Sequence, residues 1–138
     1  MSRVGGQDKN CVLSLHDVYT EEIILERKDN YSKKDSELSF NIGYSFNEGF
    51  DDTFKITIRV KINDTKNDSL NLSISVSGIF EYKNNNELKL TKNAIAILFP
   101  YVRSSLTNIT AQSGLEPLIL PTINFNALLE AKKDEIDD

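Results

Sequence analysis

A chain of 138 residues with 39% hydrophobic and 27% charged side chains has the make-up of one folded domain, large enough to hold a core without disulfide or metal staples. Its net charge of -5 excludes a general nucleic-acid binder, because no dense basic stripe is present to replace phosphate counterions. The single cysteine, Cys11, excludes an internal disulfide framework and a cysteine-rich zinc site, and no apolar run approaches membrane-spanning length.

Residues 1–9 read as a disordered lead-in without the apolar centre of a secretory signal, which makes the cytoplasm the expected compartment. From Cys11 to Arg27 the chain is strand-like, with a slip in its alternation at Thr20-Glu21-Glu22 that predicts a bulge. After the polar connection 29–36, three cleaner period-two segments follow. Leu38, Phe40, Ile42, Tyr44 and Phe46 alternate with small or polar residues, then Phe54 to Ile62, then Leu70 to Val76. Short turns between them make antiparallel neighbours, with one face buried and one Ser/Asn-rich face wet.

The segment from Asn93 to Ile109 reads as a helix. Ile95, Leu98, Phe99, Val102, Leu106 and Ile109 form one stripe, which Ala94, Ile97 and Tyr101 widen beyond what a single sheet face covers. Pro100 inside it predicts a kink, and Gly114 can cap its end. Leu115 to Pro121 is expected to be extended. A last helix capped by Asn124 runs through Phe125, Leu128 and Leu129 into a charged tail, 132–138. The fold class is therefore α+β, a single domain over 10–131 with its helices packed on one face of an antiparallel sheet.

A search for catalytic chemistry comes up nearly empty. His16 has no carboxylate or cysteine at ligand spacing, and Cys11 lies too far along an extended strand to pair with it. The glycines never form a phosphate-binding loop, and Glu21, Glu22 and Glu26 read as a solvated edge. No catalytic residue, metal site or cofactor is expected. The apolar surface is the richer feature. Counting the over-wrapped helix, it exceeds what one small sheet can cover, and the surplus is left for another copy or for an external peptide.

Two segments make the chain recognisable. Ile97-Leu98-Phe99-Pro100-Tyr101-Val102-Arg103, followed by Leu118 to Leu120 and Ile123-Asn124-Phe125-Asn126-Ala127-Leu128, resembles the C-terminal half of SecB export chaperones. Gly78-Ile79-Phe80 and Val18-Tyr19 fit the same pattern, so the resemblance covers roughly residues 12 to 130. It implies a four-stranded antiparallel sheet, a long first helix and a shorter second one, assembled as a homotetramer that is a dimer of dimers. The long helices would lie between sheets, with Ile97, Leu98, Phe99, Tyr101, Val102 and Leu106 at the interface.

The implied activity is ATP-independent holding of unfolded polypeptide in apolar grooves, and delivery to the SecA motor. The groove would draw on Leu38, Phe40, Ile42, Leu118, Leu120, Leu128 and Leu129, and SecA would dock on the acids Glu22 and Glu26. This sequence departs from the pattern by placing Ser73 at an acidic position and Lys55, Arg59 and Lys61 on the same face. Two alternatives stay open: a chaperone dedicated to one partner, such as an antitoxin, and a structural protein that reuses the fold.

Overall fold

The alternating segments become strands where the pattern places them. The computed structural model describes residues 12–83 and 87–116. Strands β1 (Val12–Arg27), β2 (Leu38–Glu48), β3 (Thr53–Asp64) and β4 (Leu70–Lys83) precede the helix α1 (Glu87–Gln112). They form one antiparallel sheet in the order β1-β4-β3-β2. The strands β1 and β2, consecutive in sequence, are therefore its two opposite edges. The expected second helix, the lead-in and the tail lie outside the described residues.

Two register shifts interrupt β1, one between Leu15 and Asp17 and one between Thr20 and Glu22. The second is the expected bulge. The pair has a common cause: Leu15, Val18 and Leu25, which pack against the core, are separated by odd spacings, and each bulge restores the alternation that keeps the next of them on the core side. The core itself comes from strict alternation. The even-numbered residues Phe54 to Ile62 and Leu70 to Val76 are all 2% exposed or less. Leu90, Ala94, Ile95, Leu98, Phe99, Val102 and Leu106 of α1 cover them.

The helix lies directly on β4. A methyl group added at Gly78 would come within 2.9 Å of the Phe80 ring and 3.0 Å of Leu98 Cδ1, so any larger residue would push these buried side chains aside. α1 begins at Glu87, ahead of the Asn93 start read from the sequence, and runs unbroken through Pro100. Proline is tolerated there because Pro100 and Ala96, whose carbonyl loses its donor, both lie on the exposed side. The end follows the glycine-capped pattern. Gly114 adopts φ 73, its N–H bonds Ala111 O at 3.3 Å, and Leu115 N–H bonds Thr110 O at 3.0 Å.

Candidate functional site

Two surfaces are available for function: the sheet face away from the helix, and the apolar margin that the helix leaves uncovered. On the first, β4 contributes small hydroxyl residues between an acidic strand and a basic one. The bulge at Glu21 aims its carboxylate across β4 at Lys55, 2.5 Å away. Hydrogen bonding from Lys55, with a further contribution from Ser77, holds the Glu21 carboxyl below its ordinary range, and Glu21 in turn raises Lys55. The Lys55 ammonium also lies 5.9 Å from the centre of the Tyr19 ring.

One step along, Glu22 faces Arg59 at 4.0 Å, and Arg59 Nε donates to Ser75 Oγ at 2.9 Å. Thr57 and Ser77 share a hydroxyl–hydroxyl bond of 2.7 Å. Ser73, Ser75 and Ser77 are consequently 7%, 1% and 0% exposed. The expectation of a wet serine face is corrected here. Long side chains from both neighbouring strands lie across the short ones, so the face is a layer of ion pairs over buried hydroxyls. Glu26 stands apart from this layer, its carboxylate accepting from the Asn71 amide at 3.2 Å and, among the described residues, paired with no cation.

The apolar margin divides the residues expected to bind clients or copies. Leu38, Phe40 and Phe46 on the edge strand β2 are half-buried, whereas Ile42 is 8% exposed and belongs to the core. Leu98, Phe99, Val102 and Leu106 of α1 are buried against the chain's own sheet, while Ile97 and Tyr101 are 39% and 44% exposed. Those two stand one helical turn apart on the same flank. Leu118, Leu120, Leu128 and Leu129 lie outside the described residues. Behind the β2 margin is an aromatic column, with Phe54 stacked on Phe46 at 5.0 Å and on Phe80 at 5.4 Å.

Catalytic chemistry stays thin. His16, at the first bulge, has its Nε2 2.7 Å from Glu81 Oε1, a partner invisible in sequence because it comes from β4. Among the described residues, no group of three or more His, Cys, Asp and Glu could hold a metal ion, and no helix is long and apolar enough to cross a membrane. Sequence reasoning missed the role of Glu21. The signal was present in the slip at Thr20-Glu21-Glu22, since a bulge residue need not follow the alternation of its neighbours.

Comparison with known proteins agrees with this geometry. A family profile described as "Preprotein translocase subunit SecB" matches residues 6–135. Among curated relatives, the protein-export protein SecB of Anaplasma phagocytophilum is 35% identical over 72 residues, covering 47% of this chain and 46% of that protein. The SecB of Methylobacillus flagellatus is 30% identical over 66 residues, covering 45% and 42%. An uncharacterized protein of Methanocaldococcus jannaschii is 49% identical over a shorter stretch of 37 residues, covering 27% and 24%. The matches thus span about half the length of the SecB relatives, or less. Among solved structures, the Mycobacterium tuberculosis Rv1957 SecB-like chaperone, in complex with a ChAD peptide from the HigA1 antitoxin, shares the fold. Its TM-score is 0.64 at 14% identity, covering 81% of this chain and 88% of that one.

Proposed function

This chain belongs to the SecB family, and on that premise we propose that it is a cytoplasmic chaperone that holds non-native polypeptide without ATP. The observation that carries the reading is the β2 margin. Leu38, Phe40 and Phe46 are half-buried along a strand that ends the sheet, so its outer backbone groups have no strand beside them among the described residues. An extended client adds main-chain bonds along such an edge while its apolar side chains cover the row, which gives affinity with little sequence preference. Leu118, Leu120, Leu128 and Leu129 complete the groove in this proposal. At stoichiometric amounts and without ATP, the protein is expected to suppress aggregation of a slowly folding test chain. Phe40→Asp should abolish most of that suppression while the circular dichroism spectrum is kept. No suppression by the wild type at several-fold excess overturns the holding activity, and full suppression by a folded Phe40→Asp chain overturns the groove.

Delivery to SecA through the polar face is part of the same proposal, and the ion pairs rank its two acids. Glu22 has the Arg59 guanidinium 4.0 Å away, whereas Glu26, among the described residues, meets an amide and no cation. Glu26→Lys should therefore weaken SecA binding more than Glu22→Lys at low salt, where exposed charges are least screened. Absence of any SecA binding by the wild type at low salt would remove delivery and leave a chaperone dedicated to another partner. Assembly as a homotetramer through α1 completes the proposal, with Ile97 and Tyr101 as the side chains left free for it.

A further inference from the structure

The closest ion pair on the polar face joins two strands that are not neighbours. Glu21 belongs to β1 and Lys55 to β3, with β4 between them. Strands two apart in a sheet lie about 10 Å from each other, so both side chains must reach inward to meet. They can do so because β4 contributes only Ser77 at this level, in register with Tyr19 on one side and Thr57 on the other. The side chains of Lys55 and Glu21 are 34% and 33% exposed, the least of any ion pair among the described residues. Ser77 and Tyr19 also favour the ionised form of Glu21, and the Tyr19 ring flanks the Lys55 ammonium. A pair shielded in this way is less screened by salt than an exposed one.

The consequence is a graded surface. The second bulge lets Glu21 and Glu22, though consecutive, both reach cations of β3, so β1 presents three acids on this face. Glu21 is closed by Lys55, Glu22 has the Arg59 guanidinium 4.0 Å away, and Glu26 has no cation among the described residues. A partner that approaches with cations finds an open carboxylate at the Glu26 end. At the Glu21 end it meets a lysine already in place, which its own cations would have to displace.

We propose that Lys55 sets partner specificity on this face: it closes the Glu21 carboxylate to cationic partner surfaces and confines their docking to the Glu22–Glu26 end of β1. This role rests on the SecA reading above and adds to it a residue that acts through Glu21. Like charges brought together cost binding energy, so Lys55 also rejects partners whose cations are spaced to reach Glu21.

The test measures SecA binding to the full chain at low salt for the wild type, Lys55→Met, Glu21→Gln and the double variant. Methionine keeps an unbranched apolar stem beside Tyr19, so the circular dichroism spectrum should be unchanged. Lys55→Met uncovers Glu21 and should strengthen binding about three- to tenfold, the range for one added charge close to a partner's cation in water. Lys55→Gln should do the same. Glu21→Gln leaves Lys55 without its anion and should weaken binding by a similar factor. The double variant removes both charges and should bind within about twofold of the wild type. Both single effects should shrink at high salt. A pair that only braced the sheet would move affinity in the same direction in both single variants. Equal affinity in all four chains, or weaker binding by a folded Lys55→Met chain, overturns the role of Lys55 and leaves delivery standing. Binding by Lys55→Met where the wild type shows none supports closure by Lys55 and removes SecA as the partner of the wild type. If neither binds SecA, delivery and the role of Lys55 fall together, and the holding activity is judged by its own aggregation assay.

Discussion

Asp64→Asn is expected to cost more stability than any other conservative polar substitution in the described chain. Asp64 is 1% exposed at the end of β3, and every acceptor site that it presents is in use. Its Oδ1 accepts from the backbone N–H groups of Glu37 and Lys66, both at 3.0 Å. Its Oδ2 accepts from Ser69 Oγ at 2.7 Å, Asn67 N at 3.2 Å and Ser69 N at 3.3 Å. One carboxylate thereby ties the β3–β4 turn to the start of β2, reinforced by Thr65 N donating to Glu37 O at 2.9 Å and Lys28 N to Ser69 O at 2.9 Å. Asparagine would turn an NH2 toward one set of donors and leave them without an acceptor.

The same bonds make the contribution pH-dependent. The Ser69 hydroxyl first, then the backbone amides of Glu37, Lys66 and Ser69, hold the Asp64 carboxyl well below the usual carboxylate range. For a group depressed on folding, the stabilisation is complete above its unfolded value, here 3.8, and is lost as pH falls below it toward the folded value. Thermal unfolding followed by circular dichroism from pH 7 to pH 3 should therefore show a steeper acid decline in the wild type than in Asp64→Asn. At pH 7 the variant should melt well below the wild type. Equal melting temperatures at pH 7 would show that the lock is not energetically used.

Ile97→Asp combined with Tyr101→Asp is expected to halve the assembly, from a sedimentation mass of four chains to one of two. Both side chains are exposed on the isolated chain, one turn apart, and neither belongs to the core. The fold should therefore survive the change, with an unaltered circular dichroism spectrum. Within an interface the new carboxylates would be buried without partners, at a cost on the order of 3–5 kcal/mol each, enough to dissociate helices packed through this flank. A one-chain mass for the wild type, or a four-chain mass for the variant, would contradict assembly through this face of α1.

Charges on the polar face show how far local reading reaches. Glu22 and Glu26 were legible as acids of β1, and Lys55 and Arg59 as a basic row of β3, because alternation assigns each to a face. That Lys55 meets Glu21 rather than Glu22 depends on the bulge, and on the register of β1 against β4 and of β4 against β3. The same limit hid the Glu81 partner of His16, 65 positions away, and the Glu37 donor to Asp64, 27 positions away. On α1 the stripe was legible from Ala94 to Ile109, with Leu90 falling ahead of the start that periodicity gave, but its division was not. Only packing on the sheet separates Leu98, Phe99, Val102 and Leu106, which the chain buries itself, from Ile97 and Tyr101, which it leaves exposed.

Strands, long helix, glycine-capped helix end and family were all readable along the chain, because periodicity, turn chemistry and the Leu98-Phe99-Pro100-Tyr101 motif are properties of neighbouring residues. Which apolar side chains remain available and which charges meet one another came from packing. Those outcomes depend on register and on the close approach of α1 over Gly78, where groups far apart in the chain compete for the same partners and the same space.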